Sequence, residues 1–248
     1  MITRSDDYIE YCRETAKHAR HLHDLALRGR HDEHITRLIQ ERIIEAVELD
    51  PGDSLVDIGC GDGTLLRMAG QMGVRRAVGL LATEEEVELV RRTGLDVRQG
   101  LTDRVPLADA SASVVVCNSV LLVVPREKIP ASLSEICRIS KPGARVFIGE
   151  VPFLALADPT PQFGSRGELL RHLYKAQGFR AWLGMVRRMA WWQVTGAPTV
   201  IRPGTAHSFF AQPEEFAAMA SAAGLETLRY WQHDHPDTRN NYLMRKPK

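Results

Sequence analysis

The chain has 248 residues, of which 44% are hydrophobic and 25% charged. That length and apolar content suit one α/β domain with an elaboration, and exclude a peptide or a low-complexity disordered chain. Thirty-two Lys and Arg against 31 Asp and Glu leave a formal charge of +1, which excludes a whole-molecule field for capturing nucleic acid, so any basic site is local.

Residues 1–50 are polar, with Ile35, Leu38, Ile39, Ile43, Ile44 and Val47 at three- and four-residue steps, which predicts an amphipathic helical lead-in or lid. The first residues lack a basic stretch followed by an apolar one, so no cleaved secretory signal is expected. Pro51-Gly52-Asp53 makes a turn, and 54–58 reads as a buried strand ending at Gly59. Strand and helix then alternate. A helix is expected over 64–72, a strand over 76–81, and a helix over 83–92 whose opening Thr83-Glu84-Glu85-Glu86 is a capping box. Strands follow at 97–100, 114–118 and 145–150, with a helix over 129–139 before the last. This alternation predicts an α/β doubly wound, mostly parallel sheet of seven strands, covered on both faces. The last two strands, 225–231 and 241–245, close the sheet as a hairpin after a helix over 213–223, with Pro213 in its first turn and Gly224 past its end.

Four units are expected: the lead-in (1–50), the α/β core (51–150), a helical cap insert (151–212), and the closing helix with its hairpin (213–248). The insert, at about 60 residues, is too long for an ordinary connection. Cys12, Cys60, Cys117 and Cys137 contain no CxxC pair, which suits reduced thiols and a cytoplasmic setting. The longest apolar run, 114–125, includes Asn118 and Ser119 and falls short of the ~20 residues that span a bilayer.

The most informative stretch is Val56-Asp57-Ile58-Gly59-Cys60-Gly61-Asp62-Gly63-Thr64, with three glycines at two-residue steps between a strand and a helix. Glycine there lets the chain turn tightly and lets a ligand approach the backbone. Asp57, just before the turn, suits a cationic or amino-bearing ligand and would repel a pyrophosphate. The dinucleotide pattern GxGxxG fails at Thr64, and no Gly-Lys-Ser/Thr follows for a nucleoside triphosphate.

VDIGCGDG before a helix, AVGLL about 20 residues on, VPLADASASVV leading into the fourth strand and Lys-Pro-Gly-Ala before the fifth together resemble class I S-adenosylmethionine-dependent methyltransferases over residues ~35–150. The resemblance implies a Rossmann-like methyltransferase fold, S-adenosylmethionine as cofactor and S-adenosylhomocysteine as product. It matches Asp57, Gly59, Cys60, Gly61 and Gly63 to the loop around the methionine part, and Asn118 and Ser119 to the wall beneath the sulfonium. The family's carboxylate at the end of strand two, which receives the ribose hydroxyls, is replaced by Leu80-Leu81. Its frequent Asp after strand three is replaced by Leu101-Thr102. Weakened cofactor binding is therefore expected, and a catalytically silent binding module or partner subunit is the alternative to an enzyme. Glu84 and Glu85 are candidates to replace a lost carboxylate, their other role being to face the helix dipole.

His18, His21, His23, His31 and His34 gather in one short stretch, but without a ligand-spaced partner set no metal site is expected. In the insert, seven basic residues (Arg166, Arg171, Lys175, Arg180, Arg187, Arg188 and Arg202) face one acid, Glu168, and Trp182, Trp191 and Trp192 lie among them. This predicts one or two amphipathic helices with a basic face. Such a face serves as solvated surface, as a receiver of an anionic substrate through Arg187 and Arg188, or as a peripheral contact with anionic lipid. The expected reaction is methyl transfer to oxygen or nitrogen of a small anionic acceptor, such as a phosphorylated or nucleotide-linked sugar or a carboxylated metabolite, with no nucleic-acid partner. Where a base is needed, the candidates are Glu150 at the end of strand five, then His207, then His31 or His34.

Overall fold

The computed structural model describes residues 5–19, 21–25, 33–153, 165–195, 209, 211–232 and 239–248. The lead-in forms two helices, α1 (Ser5–His18) and α2 (Glu33–Ala46), with a short 3-10 turn at Leu22–Leu25 between them. The alternating part follows as β1 (Ser54–Ile58), α3 (Thr64–Gln71), β2 (Arg76–Leu81), α4 (Glu84–Arg91), β3 (Val97–Gln99), β4 (Ala112–Asn118), α5 (Ile129–Ile139) and β5 (Ser140–Pro152). Beyond it come α6 (Arg166–Gln177), α7 (Phe179–Thr195), α8 (Pro213–Ala222), β6 (Glu226–Gln232) and β7 (Arg239–Arg245). No helix of the described residues is long and apolar enough to cross a membrane.

The seven strands form one sheet in the order β3-β2-β1-β4-β5-β7-β6. The first five run parallel, while β7 pairs antiparallel with β5 and with β6. The two-residue period of the strands sorts their side chains onto the two faces. Val56, Ile58, Val115, Cys117, Val146 and Ile148 enter one core with α5 and α8. Leu55, Val114, Val116 and Phe147 enter the other, with α2, α3 and α4. Every residue of β1 is buried, as both-face coverage requires of a central parallel strand, which explains its unbroken apolar reading apart from Asp57.

Helix starts follow the local chemistry. Thr83 caps α4 with a complete capping box in which Glu86 is the reciprocal partner. Pro213 occupies the first turn of α8. Strand β5 is longer than its sequence suggests, because Ser140 already pairs with Ala112, and the register with β4 then shifts before regular pairing resumes at Arg145 opposite Val114. Its far end carries a bulge: the register with β7 shifts between Ile148 and Val151, leaving Gly149 and Glu150 against the single residue Asn241. A bulge re-aims the side chains it carries, and here it lies at the carboxyl end of the parallel strands, where the sheet order reverses between β1 and β4 and ligands of open α/β sheets bind.

Candidate functional site

The loop after β1 is tied down before it reaches any ligand. The amides of Gly59 and Cys60 both donate to the Leu80 carbonyl, at 2.8 and 3.1 Å. Asp62 braces the start of α3, accepting from the Thr64 amide at 2.9 Å and the Thr64 hydroxyl at 2.7 Å. Arg67 donates to the Asp62 carbonyl at 2.7 Å. Asp62 is a site residue that sequence reading passed over, although an acid two residues before a helical Thr is an Asx-turn signal.

All three loop glycines have positive φ, but for different reasons. A side chain at Gly59 would collide with Val120, and one at Gly63 with Leu95, so these two are demanded by packing. At Gly61 (φ 54°) a Cβ would meet nothing within 4 Å. Gly61 instead lines a cavity of about 200 Å³ at the carboxyl ends of β1, β2 and β4. Its walls take Gly59, Cys60 and Asp62 from the loop, Leu80 and Leu81 from β2, Leu101 and Thr102 from beyond β3, and Asn118 and Ser119 from the end of β4. Nine of the eleven residues that the sequence assigns to the cofactor thus line one cavity, the exceptions being Asp57, which is buried in β1, and Gly63, which packs against Leu95 and Val90.

Asp57, next to last in β1, is 5% exposed, and among the described residues no hydrogen bond reaches its carboxyl. Burial first, and the nearby Asp62 carboxylate second, push its pKa up to about 7. A cationic group above it would offset both effects. The cavity roof comes from the lead-in, through Tyr8, Ile9, Cys12 and Thr15 of α1 and Thr36, Ile39 and Gln40 of α2. Of the acids opening α4, Glu84 is exposed and lies 3.8 Å from Arg91, and Glu85 pairs with Arg13 of α1 at 3.3 Å. Neither lines the cavity, but Glu86 does. At the rim, Lys128 pairs with Asp103 at 3.2 Å, and both are cavity residues.

A second, smaller cavity adjoins the first, sharing Ile39 and Asn118. It is lined by Arg42 and Ile43 of α2, Phe147 of β5, and Trp231, Gln232 and Asn241 of the closing hairpin. Phe147 and Trp231 stack at a tilt, their ring centroids 5.9 Å apart. Between the cavities lies a buried hydrogen-bonded group. Ser119 donates to Glu150 at 2.5 Å, Arg239 donates to the same Glu150 oxygen at 2.5 Å, and the Glu150 amide donates to Asn241 at 3.0 Å. Ser119 and Glu150 both hold left-handed backbone, at φ 60° and 58°. Glu150 is 1% exposed and lines neither cavity, so it reaches the larger one through Ser119.

The remaining sequence candidates fall elsewhere. His31 and His207 lie outside the described residues, as does the side chain of Arg188, while His34 is exposed on α2 and Arg187 is exposed on α7. Among the described residues no cluster of three or more His, Cys, Asp or Glu is placed to hold a metal, and no residue of α6 or α7 lines either cavity.

A family profile described as "Methyltransferase domain" matches residues 56–148, the segment that builds the loop and strands β2 to β5. These residues form a class I S-adenosylmethionine-dependent methyltransferase domain. This chain is 33% identical over 110 residues to the malonyl-[acyl-carrier protein] O-methyltransferase of Serratia marcescens, a match covering 44% of this chain and 42% of that enzyme. A longer match, 27% identical over 203 residues, covers 81% of this chain and 72% of the ubiquinone/menaquinone biosynthesis C-methyltransferase of Rubrivivax gelatinosus. Magnesium protoporphyrin IX methyltransferase from Synechocystis PCC 6803, solved with bound S-adenosylhomocysteine, superposes with a TM-score of 0.58 at 14% identity, covering 86% of this chain and 84% of that one. At that identity the likeness is one of fold.

S-adenosylmethionine is the cofactor of this domain type, and the methyltransferase domain here fits it. The open space over Gly61 leaves the backbone approachable, and the buried Asp57 carboxyl suits an amino group. The apolar walls at Leu80, Leu81 and Leu101 suit an aromatic base.

Proposed function

We propose that this chain transfers a methyl group from S-adenosylmethionine to oxygen or nitrogen of a small anionic acceptor. The observation that carries the reading is the cavity itself, with Gly61 open above a buried Asp57 at the carboxyl ends of β1, β2 and β4. Gly59, Cys60 and Gly61 would hold the methionine part, with Asn118 and Ser119 beside it and Leu80, Leu81, Leu101 and Thr102 around the nucleoside. The cofactor supplies an electrophilic methyl group. The chain supplies placement and exclusion of water, and α1 and α2 cover the cavity for that purpose; well-oriented reacting pairs gain up to ~7 to 11 kcal/mol from placement alone.

The smaller cavity is the place we assign to the acceptor, because it meets the larger one at Asn118. Arg42 in its wall favours an anion, and Phe147 and Trp231 favour a flat or apolar portion. Arg187 and Arg188 remain candidates for the same anion, with the insert acting as a cap. For an acceptor that must lose a proton, Glu150 acting through Ser119 is the group we assign, since its carboxylate already receives the Ser119 hydroxyl. The alternative is a binding module without turnover, favoured by the leucines at 81 and 101.

Calorimetric titration with S-adenosylmethionine and S-adenosylhomocysteine tests the reading. Micromolar binding of both is expected. Absence of heat at millimolar ligand would remove the enzyme, and binding without turnover of any anionic acceptor would favour the module.

A further inference from the structure

The end of β2 carries leucine where a carboxylate would face a ribose, yet the cavity is not without an acid at that corner. Glu86 lies in the first turn of α4, five residues after Leu81, and both line the same cavity. Its side chain folds back over the helix start, where one carboxylate oxygen accepts from the Thr83 amide at 3.1 Å and the Thr83 hydroxyl at 2.8 Å. The capping box therefore returns the carboxylate to the carboxyl end of β2, and it holds the group in one rotamer. The residue is only 6% exposed, and Cys12 of α1 lines the same cavity from the roof. Buried acids are uncommon unless they are paired or used. In dinucleotide-binding folds an acid about 20 residues beyond the glycine turn accepts from a ribose hydroxyl, and Glu86 lies at a comparable separation from Gly61.

We propose that Glu86 is the ribose-binding carboxylate of this chain, delivered from the α4 cap in place of a residue on β2. This inference rests on the cofactor reading above and deepens it. A vicinal diol needs an acceptor held in place. A carboxylate has lone pairs on both oxygens beyond the two bonds from Thr83. Glu84 and Glu85, the acids singled out from sequence, point away and pair with arginines.

The test compares S-adenosylhomocysteine with its analogue lacking both ribose hydroxyls, by calorimetry on the full chain and on Glu86→Gln. Gln keeps the capping box and removes the charge. The expected result is that the parent prefers S-adenosylhomocysteine at least tenfold, as a hydrogen bond to a charged group implies. The variant should lose about that factor for S-adenosylhomocysteine and less than threefold for the analogue. Equal binding of the two ligands by the parent would overturn the proposal without recourse to any variant, as would an equal loss for both ligands in Glu86→Gln, which is the mark of a structural role. A parent that binds neither ligand fails differently, since it overturns the cofactor reading and takes this inference with it.

Discussion

At the residue scale, the ionisation of Asp57 is set by its surroundings. Its folded pKa, pushed up to about 7 by burial and Asp62, lies above the ~3.9 of an unfolded Asp. The folded chain without ligand therefore holds a proton that the unfolded chain has released. The sign follows: stability from this group is fully present below the unfolded pKa and is lost as pH rises towards 7. A cationic ligand reverses the preference, so binding should release a proton below pH 7. We predict that affinity for S-adenosylhomocysteine rises roughly tenfold from pH 5.5 to 7.5 in the parent, and that Asp57→Asn binds at least about tenfold more weakly at pH 7.5 with little pH dependence. Titrations in two buffers of different ionisation heat would count the released proton. A flat parental profile would show that Asp57 does not face the ligand's ammonium group.

At the element scale, the β1–α3 loop separates packing from binding within three residues. Gly59 is hemmed in by Val120, whereas the Cβ position of Gly61 is open. Both have positive φ, so Ala carries a left-handed penalty of ~1 to 2 kcal/mol at either position. Gly59→Ala adds overpacking, typically ~1 to 3 kcal/mol. We expect Gly59→Ala to lower the melting temperature clearly more than Gly61→Ala. Gly61→Ala should cost the larger factor in S-adenosylhomocysteine affinity relative to its effect on stability, because its methyl group enters the space the ligand needs. Thermal unfolding paired with calorimetry compares the two, and the reverse ranking would mean that the cavity beside Gly61 is not the binding site.

On the scale of the whole molecule, charge is distributed unevenly in a chain whose total is only +1. Of the seven basic residues that face one acid between positions 164 and 202, six fall on α6 and α7, while the described cavities are roofed by α1 and α2 instead. If the insert caps the acceptor, the double substitution Arg187→Gln with Arg188→Gln should raise the acceptor's KM several-fold and reduce its salt sensitivity, leaving S-adenosylmethionine affinity unchanged. Steady-state kinetics at low and high salt measure this. Unchanged KM would return the basic face to solvent, and flotation of the parent with anionic vesicles would give it to a lipid surface.

The sequence by itself determined the sheet, because strand and helix periods and the glycine turn are local signals set by backbone geometry. It also identified the capping box at Thr83 and the loop from Asp57 to Gly63, whose residues are contiguous. What it could not determine is which neighbours meet across the fold. Glu86 reads in sequence as a helix cap, and only the packing of α1 over α4 turns it into a cavity wall. Arg42 and Asn241 lie about 200 residues apart and share a cavity only because β7 inserts between β5 and β6. Glu150 was readable as an acid at the end of a strand, but the bulge opposite Asn241 decided that it is buried behind Ser119. Local propensity depends on a few consecutive residues, whereas a site depends on side chains brought together by strand order, register and bulges, which are properties of the assembled sheet.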